Sequence, residues 1–306
     1  YKQKKKIGLF SIAILTFVLT TAYKTDYFEI AKQIDVLSQK NNSLSFSLTL
    51  SKNLFNRYES PWEGTRICKK KDLNQLIGLE QDFNEKFKTN SLDCSYNNFD
   101  LETIDSFIEL KENYKIYSGF NVTTPYKEAI LPYLDFISND AKKIGAVNTI
   151  KIENNKLIGY NTDHYGFKES LIKYLKPHHK TALILGTGGA SKAVAFALRE
   201  LGIKFEYVSR TKSPEIKHTY NTLTSTEIEA NKLIINCTPL GTFPKLEKCP
   251  EISYDQLDKY HLLFDLIYNP AETVFLKKGR LKGAKVINGL EMLINQAEKS
   301  WEIWNS

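Results

Sequence analysis

The stretch from Thr181 to residue 201 constrains the fold of this chain more than any other. The run Thr181–Leu185 is apolar or β-branched and leads directly into Gly186, Thr187, Gly188, Gly189 and Ala190, after which a helical pattern continues to residue 201. A strand that turns through glycines into a helix opens a βαβ unit, which commits a chain to a mainly parallel sheet covered by helices. The turn also has a chemical reading. Backbone N–H groups at a helix N-terminus, with the helix dipole behind them, can hold a pyrophosphate. Glycine-rich turns also arise for steric reasons alone, so the turn by itself does not settle the ligand.

The alternation of strand and helix extends in both directions. Strands are expected over 76–78, 96–99 and 119–123, with helices over 82–88, 101–110 and, starting at Pro125, 125–134. Two further strands, 147–152 and 156–160, meet at Asn154-Asn155, a sequence suited to a tight hairpin turn. A helix is expected from Thr162-Asp163 to 175, and Pro177 with the two histidines after it marks a boundary. Beyond the glycine turn come strands at 204–209, 232–237 and 261–268, and a closing helix over 289–304. That helix carries Leu290, Leu293, Ile294, Ala297, Trp301 and Trp304 on one face, a stripe that core packing explains. Gln296 falls off the stripe and is expected to face a cleft.

A chain of 306 residues is long enough for two cores. The formal charge of +7 is spread over scattered lysines without an aromatic-basic stripe, which argues against nucleic acid and suits anionic ligands. Cys68, Cys94, Cys237 and Cys249 show no C-x-x-C pair and read as free thiols of a reducing compartment. The five histidines lack metal-ligand spacing, so no metal site is expected. Residues 1–23 differ from the rest: Lys2, Lys4, Lys5 and Lys6 precede an uncharged apolar run over 7–23, the pattern of a signal or membrane anchor. Those lysines would stay in the cytoplasm and send the body outward, which conflicts with a cytoplasmic body. Residues 24–71 show no motif and read as an extension or linker.

Two strand ends carry the chemistry. GFNVTTPYK (119–127) places Lys127 just past one, and GYNTDHYGF (159–167) places Asp163 just past the other. Ligands of α/β sheets bind at this carboxyl edge. If the two ends converge, Lys127 and Asp163 form an ammonium–carboxylate pair, and a purely structural salt bridge is the plain alternative. His164, beside Asp163, reads as an exposed loop histidine. At the end of the strand over 204–209, Ser209, Arg210, Thr211 and Lys212 offer cations and hydroxyls that suit a 2′-phosphate. An acid there would read a 2′-hydroxyl instead, but Glu206 comes too early. NADP is therefore expected rather than NAD.

These strings resemble the shikimate dehydrogenase family. The likeness rests on NVTTPYK, GAVNT (145–149) and NTDHYGF in one half, and on GTGGASKA (186–193), SRT (209–211) and NCTPLGT (236–242) in the other. DLIYNPAET (265–273) and NGLEMLINQA (288–297) complete it, and it runs from about residue 92 to the C-terminus. It implies an α/β fold of two domains: a substrate-binding domain over 72–175 and a Rossmann-like NADP-binding domain over 176–287. The helix within 288–306 would return to the first. The implied reaction is reversible reduction of 3-dehydroshikimate to shikimate with NADPH, by a monomer or homodimer. The alternative is a non-catalytic nucleotide-binding homologue. Lys127 would be the proton donor, Asp163 its partner, and Thr123, Asn148, Tyr268 and Gln296 the ring-binding groups. Gly186, Thr187, Gly188, Gly189, Ala190, Ser209, Arg210, Thr211, Thr238 and Gly289 would hold the cofactor. Thr242 stands where the family often has Met, a minor departure, but another departure matters. The family's first strand leads into a Gly-x-Pro loop and a Ser-x-Ser pair that holds the substrate carboxylate. After 76–78 this chain reads LEQDFNEKF, and Ser43-Leu44-Ser45, the one other candidate, precedes that strand.

Overall fold

The structure, a computed structural model, describes residues 62–68, 83–84, 87–88, 94–108, 117–213 and 216–306. The apolar run at 7–23, the strand expected at 76–78 and the Ser43–Ser45 pair lie outside these residues. Among the described residues no helix is long and apolar enough to cross a membrane.

Two six-stranded sheets organise the described residues. In the first, β1 (Trp62–Cys68), β2 (Cys94–Asp100), β3 (Gly119–Val122), β4 (Phe136–Ile137), β5 (Thr149–Glu153) and β6 (Lys156–Tyr160) take the order β2-β1-β3-β5-β6-β4. β1 runs parallel to both β2 and β3, while β3–β5 and β5–β6 are antiparallel. The β5–β6 hairpin turns through Asn154 (φ 50°) and Asn155 (φ 59°), the left-handed pair that the asparagines suit. Finding β1 inside the sheet corrects the reading of residues 24–71 as extension or linker at 62–68, the part of that stretch that is described. Its sequence, WEGTRIC, has β-branched residues only at Thr65 and Ile67 and glycine in the middle, so pairing on both sides supplements a weak propensity.

A second expectation also changes. No α-helix follows Pro125: the chain runs through tight turns to a 3₁₀ segment at Leu131–Tyr133. Pro132 there has no N–H to continue a helical ladder. The helix expected over 101–110 likewise begins as 3₁₀, at Ile104–Ser106. Helices α1 (Asn139–Ile144) and α2 (Asp163–Ile172) follow, the latter leading toward the second sheet.

That sheet contains β7 (Thr181–Leu185), β8 (Lys204–Ser209), β9 (His218–Thr219), β10 (Leu233–Asn236), β11 (Leu262–Asp265) and β12 (Lys285–Ile287). All are parallel, in the order β12-β11-β10-β7-β8-β9. The order reverses at β7 and β10, so the crevice for a ligand opens at their carboxyl ends. α3 (Gly189–Glu200), α4 (Ser225–Ala230) and α5 (Val274–Leu281) are its crossovers. Ile184, Val194, Leu198, Leu233 and Phe264 have no exposed surface in its core.

The closing helix, α6 (Leu290–Asn305), returns to the first sheet: Trp304 Nε1 donates to the Ile150 carbonyl at 2.9 Å, and Trp301 and Trp304 pack with Phe83, Phe87 and Tyr96. Its buried residues are Met292, Gln296, Ser300, Trp301 and Trp304. The expected apolar stripe thus contributes its two tryptophans, with Leu293 and Ala297 packed against the same cluster, and the row Met292-Gln296-Ser300 is buried beside it. Polar side chains tolerate that burial because each is hydrogen-bonded: Ser300 Oγ donates to the Gln296 carbonyl at 2.9 Å, and Gln296 Nε2 donates to the Leu293 carbonyl at 3.0 Å.

Candidate active site

Four side chains from four elements meet at the carboxyl end of β3. Lys127 lies in the turn after that strand, where the Tyr126 N–H donates to the Thr123 carbonyl and the Val147 N–H donates to the Lys127 carbonyl at 2.8 Å. Its Nζ reaches Asp163 Oδ2 at 2.5 Å, with side chains 14% and 8% exposed. Asp163 opens α2, where the helix dipole favours a negative charge. Its other oxygen, Oδ1, accepts from Asn148 Nδ2 at 3.0 Å, and the same Nδ2 faces Gln296 Oε1 at 3.2 Å and Thr162 Oγ1 at 2.9 Å. Asn148 Oδ1 in turn accepts from the Thr162 N–H at 2.7 Å. Lys127, Asp163, Asn148 and Gln296 therefore form one hydrogen-bonded set, with the carboxylate held from both ends. Thr123 and Tyr268, both half-buried, stand on the loops after β3 and β11.

The glycine turn of the second sheet borders this set. A Cβ on Gly189 would sit 3.5 Å from Lys127 Cβ. Gly186 has φ +106°, and a Cβ there would meet Thr238 Cγ2 at 3.2 Å, so Gly186 and Thr238 are packed together. Gly188 is the N-cap of α3 and gives it no side-chain cap, and a Cβ on Gly188 would meet nothing within 4 Å. An uncapped helix N-terminus bordered by open space, with Thr187 exposed and Ala190 in the first turn, fits an anionic cofactor. Ser209 ends the neighbouring strand, and Arg210 and Thr211, both exposed, follow it. Glu206 is occupied by Lys217 and His218, each at 2.7 Å. Gly289 precedes α6, its N–H donating to the Ile267 carbonyl at 3.0 Å, and it packs so closely on Leu266 that a Cβ would overlap that residue's backbone.

His164 is not the exposed loop residue expected. It lies in the first turn of α2, its ring edge-on to Phe196 at 5.1 Å, and its Nδ1 is buried without a hydrogen-bond partner among the described residues. Burial lowers its pKa. Sequence reasoning also missed Thr162 and Ser300, which share hydrogen bonds with Asn148 and Thr149. Ser300 was detectable, since it follows Gln296 by one helical turn. Asp265 was missed as well: it is fully buried below the Thr238 loop, and burial raises its pKa to about 7.

A family model described as the shikimate dehydrogenase substrate binding domain matches residues 81–150. A shikimate dehydrogenase (NADP(+)) of Clostridium beijerinckii is 43% identical over 233 residues, covering 72% of this chain and 84% of the relative. Among solved structures, shikimate dehydrogenase from Aquifex aeolicus matches with a TM-score of 0.69 at 35% identity, over 80% of this chain and 92% of that one. That of Thermus thermophilus in complex with NADP(H) and shikimate matches with a TM-score of 0.69 at 30% identity, over 79% and 93%. With a relative this similar covered over most of its length, the chain belongs to the shikimate dehydrogenase family.

Proposed function

We propose that this protein catalyses the reversible, NADP-dependent reduction of 3-dehydroshikimate to shikimate. The observation that carries the reading is the Lys127–Asp163 pair, closed at 2.5 Å and bordered by the glycine turn of a nucleotide-binding sheet. When bound, NADPH supplies the hydride. Gly186, Thr187, Gly188, Gly189 and Ala190 would hold its pyrophosphate, Ser209, Arg210 and Thr211 its 2′-phosphate, and Thr238 and Gly289 the nicotinamide side.

Lys127 places its Nζ at the substrate ketone oxygen, stabilises the charge that grows there, and gives up the proton that makes the hydroxyl. Asp163 keeps Lys127 in place and has a carboxylate oxygen for a substrate hydroxyl. Asn148 and Gln296, already tied to that carboxylate, orient the ring together with Thr123 and Tyr268. The direct test is reduction of NADP by the full chain with shikimate as substrate. Formation of NADPH supports the reading. Cofactor binding without turnover would instead indicate a non-catalytic homologue.

The cofactor preference has its own test. Arg210→Ser removes a charge-assisted hydrogen bond, on the order of 1.5–3 kcal/mol. The KM for NADPH should rise by about tenfold or more while the use of NADH stays nearly unchanged. Equal losses with both cofactors would count against the assignment.

A further inference from the structure

Below the loops at the carboxyl edge of the second sheet lies a carboxylate that the chemistry above does not use. Asp265, the last residue of β11, has no exposed surface. Its Oδ1 accepts from Asn236 Nδ2 at 3.0 Å and from the Ile267 N–H at 3.1 Å, and its Oδ2 accepts from Thr273 Oγ1 at 2.6 Å. Asn236 passes the constraint onward. With its amide nitrogen turned to Asp265, its Oδ1 accepts from the Thr238 N–H at 3.0 Å and from Thr238 Oγ1 at 2.6 Å. Thr238 Oγ1 accepts in turn from the Leu240 N–H at 3.3 Å. An ionised carboxylate only accepts hydrogen bonds, so Asp265 dictates which way the Asn236 amide points.

From this geometry we infer that Asp265 is a positioning residue: through Asn236 it sets the loop at Thr238 against the cofactor turn, and through Ile267 it holds the loop that carries Tyr268. The inference rests on the NADP-linked reading above. It goes further by tying the cofactor side and the substrate side of the cleft to one buried group.

Burial raises the pKa of Asp265 to about 7, so its charge changes within the ordinary working range. The other titratable groups facing it, Cys237 after β10 and Tyr254 before β11, are themselves pushed upward by burial and remain neutral. Below pH about 7 a protonated Asp265 no longer fixes the amide of Asn236, and affinity for NADPH should fall. Stability should move the opposite way. The folded-state pKa lies above the ordinary carboxylate value of 3.8, so the folded protein binds the proton more tightly. Stability from this group is therefore fully present below about pH 4 and is lost as pH rises through about 7.

Asp265→Asn in the full chain, compared with wild type by NADPH fluorescence titration and thermal melting from pH 6 to pH 8, tests this. At pH 8 the variant should bind NADPH about tenfold more weakly while its melting midpoint equals or exceeds that of the wild type. The wild-type affinity should fall toward pH 6 more steeply than the variant's. Unchanged affinity, or weaker binding together with a lower midpoint at pH 8, would overturn the inference, the second because it marks a merely structural role. If Asp265→Asn does not fold, Asn236→Ser shortens the same link. The same weakening is expected of it, and unaltered NADPH affinity would overturn the inference. Because these comparisons are read from NADPH binding, a wild type that binds the cofactor but does not oxidise shikimate would refute the activity and leave this result standing.

Discussion

Lys127→Ala is expected to lower kcat by roughly 10²–10⁴, the range for losing a general acid. The size of the effect follows from where the ammonium stands. Its Nζ is fixed at 2.5 Å from Asp163 by a carboxylate that is itself held by Asn148, so no other cation of this set is placed to take over the proton transfer. Shikimate binding should weaken less, because Asn148 and Gln296 remain tied to each other. Removing one member of a buried pair also leaves Asp163 uncompensated, which costs on the order of 3 kcal/mol of stability. The variant should therefore melt earlier yet still bind NADPH, and NADPH titration separates lost chemistry from lost folding. A variant that binds cofactor and keeps a near-normal kcat would remove Lys127 from the mechanism.

The parts of the fold that were legible in the sequence are those whose signal is local. Thr181–Leu185 and Lys204–Ser209 are strands with the bounds the apolar pattern indicates, and Asn154-Asn155 turns the hairpin as two residues that tolerate positive φ should. The glycine turn sits where strand, turn and helix meet. The convergence of Lys127 and Asp163 was legible for another reason, since each follows a strand end and strand ends share an edge. The features that escaped depend on tertiary partners. β1 has a sequence a linker could carry, and it is a strand because β2 and β3 flank it. The 125–134 stretch looks like a helix until Pro132 is weighed as an interruption inside the pattern. Gln296 was expected to face the cleft, but Ser300, one turn further on, is polar, and only its partner Thr149 explains why the helix turns it inward. Asp265 resembles any acid at a strand end until its burial is known.

The second large effect concerns the carboxylate of the substrate. In the family this chain resembles, hydroxyls of a Ser-x-Ser pair after the first strand clamp that group. Here the first described strand is β1, and its register with β3, Ile67 opposite Val122, ends both strands on one edge of the sheet. The residues that follow, 69–82, read KKKDLNQLIGLEQD and contain no serine. A hydrogen bond to a charged group contributes on the order of 1.5–3 kcal/mol, so two lost without replacement amount to roughly 3–6 kcal/mol, or about 10²–10⁴ in affinity. The cofactor half is untouched by this change, because its glycine turn and the Ser209–Arg210–Thr211 end of β8 are intact. The expected result is therefore a split: NADPH binds with ordinary affinity, while the initial rate rises almost linearly with shikimate and does not saturate at ordinary concentrations. Fluorescence titration with NADPH measures the first, and initial rate against shikimate concentration the second. Saturation at ordinary concentrations would show that Ser43, Ser45 or another group holds the carboxylate, and the argument from the missing pair would then be wrong.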